Sequence, residues 1–303
     1  MSSLPYYDLN RALLERFGCR VQKISLDAGL TCPNRDGTLG LGGCIYCNAR
    51  GSGTGAATLM SITAQLEKGK PALRRRYKAQ KFIAYFQSFS NTYAPPEKLH
   101  RLYEEALAVP DIVGLAVGTR PDCMSDAILD LLASINRETF VSIEYGLQSI
   151  HDRTLKFINR GHTFSTFKDT AEKTRKRSIE VCVHVILGLP GESIDDMLET
   201  ATALAGMDIQ AVKIHLLYVV RDTVLHRLYE SGNYRCLERE EYVETVARFL
   251  SLLPPHVVIH RLTGDPHPAE LVAPLWALEK HANLQAIRDA LTKNDLWQGK
   301  NNG

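Results

Sequence analysis

The chain has 303 residues, of which 45% are hydrophobic and 23% charged, with a formal charge of +2. That composition fits a globular protein and excludes fibrous and disordered classes, and the length accommodates one large α/β domain or two ordinary ones. The near balance of charge means that any affinity for nucleic acid must rest on a local basic patch.

In chain order, the start "MSSLPYYDLNRALLERFGC" has no basic region leading into an apolar stretch, so no secretory signal is expected. No uncharged apolar window is long enough to span a membrane; "ALAVPDIVGLAVG" is broken by Pro110 and Asp111. A cytoplasmic location is therefore expected, with no membrane partner. In that reducing compartment seven cysteines point to metal binding or catalysis before disulfides.

Six nearly continuous apolar runs follow: "KISLDAGL" from Lys23, "KFIAYFQSF" from Lys81, "IVGLAVGTR" from Ile112, "FVSIEYGLQS" from Phe140, "EVCVHVILGLP" from Glu180 and "AVKIHLLYVV" from Ala211. Such runs read as buried parallel strands, because an exposed face would impose alternation. Amphipathic stretches of helical period lie between them. "PPEKLHRLYEEALA" opens on prolines suited to a first turn, "SDAILDLLASIN" has a Ser125 cap, and "SIDDMLETATALAGM" opens on Ser193 with two acids at the positive helix end. Repeated βα units of about 30 residues result, forming a doubly wound sheet or a complete or partial barrel. After residue 220 the pattern turns helical, with "REEYVETVARFLSLL" and one more candidate strand, "HVVIHRL". The expected organisation is a core over residues 1–220 and a mostly helical extension over 221–303 packed against it, with the tail "QGKNNG" frayed.

The loop after the first strand, "CPNRDGTLGLGGCIYC", spaces Cys32, Cys44 and Cys47 as C-x11-C-x2-C. In a βα protein that loop lies at the strand carboxyl ends, where ligands bind. Gly37, Gly40, Gly42 and Gly43 let its backbone wrap closely around a bulky group. Three thiolates on a four-iron cluster would leave one iron open to a co-substrate. An alternative enlists Cys19 as a fourth thiolate in a structural zinc site, making a non-catalytic, zinc-stabilised nucleic-acid-binding protein. Cys123, Cys182 and Cys236 read as ordinary buried residues.

The triplet, with Tyr46 just before its last cysteine, resembles the radical S-adenosylmethionine enzymes. Its long first gap resembles the branch holding the Elongator catalytic subunit and the oxygen-independent coproporphyrinogen oxidases, and above all small stand-alone Elongator-like proteins of the YhcC type, over about residues 15–280. The resemblance implies a partial (βα)6 TIM barrel, a [4Fe-4S] cluster on Cys32, Cys44 and Cys47, S-adenosylmethionine as cofactor, and an electron donor of the flavodoxin or ferredoxin type. It also implies homolysis to a 5′-deoxyadenosyl radical that takes hydrogen from a substrate.

Each strand end then acquires an expectation. Tyr46 would neighbour the adenine. Gln87, Ser88 and Asn91 in "FQSFSNTYAP" stand where the family binds the methionyl amine, although its Gly-Gly-Glu-like segment is absent; a polar turn with Asn91 capping the next helix is the alternative. Glu144, Gly146 and Gln148 alternate on one face, and the matching Glu and Gln of the family face the cofactor. Arg160 matches an arginine holding the methionyl carboxylate, and His162 reads as a helix cap or a site residue. Leu189 belongs to the "GLPGES" segment that the family sets against adenine, with His184 near the ribose or else a core histidine. Arg120 and Asp122 read as substrate or cofactor contacts or a structural pair. Lys213 and His215, on one face of a strand, suggest a polar or anionic substrate.

Resemblance to the Elongator group, which modifies wobble uridines, suggests tRNA, and "ALRRRYKAQK" and "EKTRKR" supply basic clusters. A small metabolite is the enzymatic alternative. The acetyltransferase-like domain of the Elongator subunit has no counterpart here, so acetyl-group chemistry is not expected.

Overall fold

The fold was obtained as a computed structural model and is described for residues 4–48, 51 and 60–302. Nine strands alternate with ten helices among these residues. In chain order they run α1 (Leu9–Phe17), β1 (Val21–Leu26), α2 (Ile62–Tyr77), β2 (Lys81–Phe86), α3 (Pro96–Leu107), β3 (Ile112–Thr119), α4 (Asp126–Glu138) and β4 (Phe140–Gln148). Then come α5 (Asp152–Phe157), α6 (Phe164–Lys176), β5 (Glu180–Leu187), α7 (Ile194–Ala205), β6 (Ala211–Leu216) and β7 (Val219–Val220). The chain finishes through α8 (Val224–Glu230), α9 (Arg239–Leu252), β8 (Val258–Arg261), β9 (Leu271–Ala273) and α10 (Lys280–Lys293).

Local chemistry explains the helix starts. The Ser125 hydroxyl accepts the Ile128 amide, and Ser193 forms a reciprocal capping box with Asp196, as their sequences anticipate. Pro95 and Pro96 open α3 without a side-chain cap. Asn91 is instead buried in the preceding turn, where its Nδ2 donates to the carbonyls of Ser88 and Gly118. Thr163, not His162, caps α6.

Seven parallel strands form one sheet in the order β1-β2-β3-β4-β5-β6-β8. Neighbouring strands lie about 4.8 Å apart, so a flat sheet would hold β2 and β6 nearly 20 Å apart. Yet Lys213 Nζ on β6 donates to the Tyr85 hydroxyl on β2 at 2.8 Å. The edge strands also meet across the interior, with Lys23 Nζ of β1 3.4 Å from His260 Nδ1 of β8. The sheet is therefore curled into a partial barrel. Its free edge at β8 is met by the amino-terminal segment, where the Ile259 amide donates to the Tyr7 carbonyl at 2.7 Å.

β8 is the "HVVIHRL" run. It adds a seventh strand to the six expected, and the boundary foreseen at residue 220 falls inside the barrel rather than beside it. Alternation divides each strand between two environments. Ile24, Phe82, Leu115, Ile143, Val183 and Ile214 point outward into the apolar layer under the helices, each buried side chain worth about 1.5–3 kcal/mol. Leu13 of α1, with Val21, Ile83 and Ala116, plugs the amino-terminal end of the barrel. Above that plug the inward residues include Glu144, His184 and Lys213.

Candidate functional site

The strand carboxyl ends open into a cavity faced by all three cysteines of the loop and by Tyr46, Gln87, Arg120, Glu144, Gln148, Arg160, His184, Lys213 and His215. Residues far apart in sequence thus share one chamber. The loop is fixed from both sides. Asn159 Nδ2 donates to the Gly43 carbonyl, Asn34 returns a bond to the Asn159 carbonyl, and the Ile45 amide donates to Ile158 at 3.1 Å.

The thiols sit in a cationic setting. Arg160 Nη1 lies 3.6 Å from Cys44 Sγ, while its Nε and Nη2 donate to the Gly146 carbonyl at 3.1 and 2.6 Å. Cys44 is held well below the ordinary thiol range by a hydrogen bond from Cys47 and by the guanidinium groups of Arg160 and Arg120, against the opposing effect of burial. At Gly146 a Cβ would fall 2.5 Å from Arg160 Nη2 and 2.7 Å from Gln148 Nε2. Only glycine leaves room for these two side chains.

Arg120 Nη1 and the Tyr46 hydroxyl are buried without a hydrogen-bond partner. Unpaired buried donors are costly, so both are set for a polar group that occupies the chamber. Three converging thiols, adjacent guanidinium groups and these open donors fit an iron–sulfur cluster with a polar co-ligand.

Deeper in the barrel lies an ionic network centred on Glu144. Lys23 and Lys213 both pair with its carboxylate, His184 Nε2 bonds it at 2.7 Å, and His260 Nδ1 lies 3.6 Å away. Burial would raise this carboxyl, but Lys213 and Lys23 outweigh burial and hold it well below the usual range. Burial and then Lys213 push His184 down to about 3, so it is neutral at physiological pH.

Three of the expected residues are not part of the chamber lining. Ser88 is buried outside the chamber, because alternation after β2 turns Gln87 inward and Ser88 away. Leu189 backs the cysteine loop in an apolar cluster with Ile45, Leu155 and Ile158. Asp122 takes both Arg120 Nε and Nη2, at 2.9 and 2.7 Å, and so is a structural partner of that arginine. Glu144 and His184 face the chamber, yet their bonds go first to the network, not to an open ligand position.

Sequence reasoning passed over Lys23, Tyr85, His260 and Arg261, which stand on the inward faces of β1, β2 and β8. A lysine at the centre of "VQKISL" was the available signal. Cys182 was also underrated, for its Sγ lies 3.2 Å from His260 Nδ1 inside the barrel. The segment after β8 walls the mouth with His267 and Glu270, and Asn48 Nδ2 donates to Glu270 at 2.9 Å.

The zinc alternative fails on geometry. Cys19 precedes β1 and packs against the apolar plug, whereas Cys32 follows it. Six strand residues at about 3.3 Å each place them roughly 20 Å apart.

Comparison with known proteins agrees with this geometry. A profile of the Radical SAM superfamily matches residues 32–204, and one of the Radical_SAM C-terminal domain matches 209–293. YtqA of Bacillus subtilis is 42% identical over 97% of this chain and 92% of its own. Protein YhcC of Escherichia coli is 38% identical over 94% and 91%. The solved archaeal Elp3 of Methanocaldococcus infernus shares the fold with a TM-score of 0.70, at 16% identity, over 92% of this chain and 64% of that one. Among the described residues no helix is long and apolar enough to cross a membrane.

Proposed function

The chain belongs to the radical S-adenosylmethionine superfamily, and from that premise we propose that Cys32, Cys44 and Cys47 hold its [4Fe-4S] cluster in an enzyme that modifies tRNA at a wobble uridine. Held there, the cluster would supply the electron that splits bound S-adenosylmethionine into methionine and a 5′-deoxyadenosyl radical, the species that would take hydrogen from the substrate. The observation that carries the ligand assignment is the convergence of three thiols on one chamber, with Arg160 at 3.6 Å from Cys44 and unpaired donors beside them.

The remaining residues position and shield. Arg160, anchored on the Gly146 carbonyl, presents its charge to the thiolate side of the chamber. Arg120, oriented by Asp122, keeps Nη1 available to an anionic or carbonyl oxygen. Tyr46 supplies a hydroxyl and an apolar ring beside the thiols. The plug at the amino-terminal end closes the floor of the chamber, and residues 266–271 wall its mouth, around a site where a radical must survive.

The tRNA assignment draws support from the Elongator-type cysteine spacing and from the fold shared with archaeal Elp3. Anaerobically purified protein is expected to be brown, to carry about four irons per chain, and to form 5′-deoxyadenosine when given a one-electron reductant of the flavodoxin or ferredoxin type. Colourless protein with stoichiometric zinc would sink the reading. Nucleoside mass spectrometry of total tRNA from a deletion strain should show a wobble uridine halted before its final form. An unchanged nucleoside profile with an altered small metabolite would reject tRNA and keep the chemistry.

A further inference from the structure

The wall formed by β6 and β8 carries more positive charge than its neighbours neutralise. Lys213 and Arg261 meet across β6 and β8 where the register shifts, and both line the chamber. Lys213 shares the single carboxylate of Glu144 with Lys23. Arg261 has only the Thr263 carbonyl, at 2.6 Å from its Nε, and no carboxylate within ion-pair distance among the described residues. The other carboxylate facing the chamber, Glu270, is engaged with Asn48 at the mouth. Three cations against two anions still leave one positive charge over, and it falls to the half-buried Arg261 on this wall.

A second observation points to the same place. His215 Nε2 is buried, without a hydrogen-bond partner, and the ring lines the chamber next to Arg261 on this wall. The His184 ring lies beside it, tilted by 38° with ring centroids 5.2 Å apart. Burial and the field of Arg261 keep His215 neutral, which leaves one ring nitrogen to donate a hydrogen bond and no charge to add to the surplus.

Resting on the assignment of the cysteine side of the chamber to the cofactor, we propose that the β6–β8 wall is a substrate subsite for an oxyanion, bound by Arg261 and Lys213 and by a hydrogen bond from His215 Nε2. The substrate would then carry a carboxylate or phosphate group on the part that enters the barrel, independently of any phosphate of a polynucleotide backbone outside it. A planar guanidinium suits a carboxylate through paired bonds, and the lysine adds a point charge.

The test is anaerobic calorimetric titration of the cluster-loaded protein, saturated with S-adenosylmethionine, using acetate and inorganic phosphate as separate probes. Binding of either is expected, acetate identifying a carboxylate and phosphate a phosphoryl group. Arg261→Gln should weaken it about tenfold, and Arg261→Lys should also weaken acetate binding, because an ammonium cannot form the paired bonds. His215→Leu serves as an independent variant should Arg261→Gln fail to load iron, and is expected to weaken the same probe. No binding of either probe overturns the proposal. So does a loss of S-adenosylmethionine affinity in Arg261→Gln with probe binding intact, because the wall would then serve the cofactor. These titrations do not involve tRNA, so normal nucleosides in a deletion strain would overturn the tRNA reading and leave the subsite standing.

Discussion

Cys19 and Cys32 stand at opposite ends of β1, one in the apolar plug beneath the barrel and the other on the loop above it. No single metal centre reaches both. Replacing Cys32, Cys44 or Cys47 by Ala is therefore expected to abolish cluster loading, while Cys19→Ala keeps about four irons per chain. Iron analysis and absorbance after anaerobic reconstitution read the difference. Iron lost in Cys19→Ala but retained in Cys32→Ala would reverse the ligand assignment.

Gly146 and Arg160 pack closely together at the chamber wall. A methyl at position 146 must displace the guanidinium or Gln148, since both lie closer than 3.0 Å to where it would sit. Gly146→Ala is expected to cost about 1–3 kcal/mol in urea unfolding. By withdrawing Arg160 from Cys44 it should also weaken S-adenosylmethionine binding about tenfold. Normal affinity in equilibrium dialysis would show that Arg160 is not held in place by this carbonyl.

Glu144 lies between the buried Lys213 and the partly buried Lys23 and pairs with both. Glu144→Gln leaves both cations in a low-dielectric interior and is expected to cost about 3–5 kcal/mol. Because the folded-state value is depressed, the ionised carboxylate contributes stability above its ordinary range and loses it as pH falls through the folded value. The gap between wild type and Glu144→Gln should thus narrow below about pH 4. A gap independent of pH would mean that shape, not charge, carries the effect.

The strands were legible because a parallel sheet covered by helices leaves a plain apolar run, and Ser125 and Ser193 announced their helices through the orphan amides they cap. The cysteine loop was legible because three thiols in 16 residues are chemically conspicuous. Curling was not, since period-2 alternation is blind to which distant strand a side chain will meet. Lys23 and Tyr85 acquire their roles only when β1 and β2 come round to face β6 and β8. The same blindness placed "HVVIHRL" outside the barrel and Ser88 and Leu189 inside the site. One residue's shift along a strand end exchanges chamber for core, as the neighbours Gln87 and Ser88 do.

Lys213 tests the interior field from the other side of neutrality. Burial, together with the charges of Arg261 and Lys23, outweighs Glu144 and lowers it to about 8 from an ordinary 10.5. Between those values the unfolded chain holds the proton that the folded chain has lost, so stability should rise with pH across that interval. A shift of this size corresponds to a rise on the order of 3 kcal/mol at full effect. Lys213→Met removes the titrating group while keeping an apolar stem of similar length. Urea midpoints at about pH 7.5 and about pH 10 are expected to favour wild type progressively over Lys213→Met. Parallel profiles would mean that Lys213 keeps its proton throughout, with Glu144 and the Tyr85 hydroxyl compensating its burial in full.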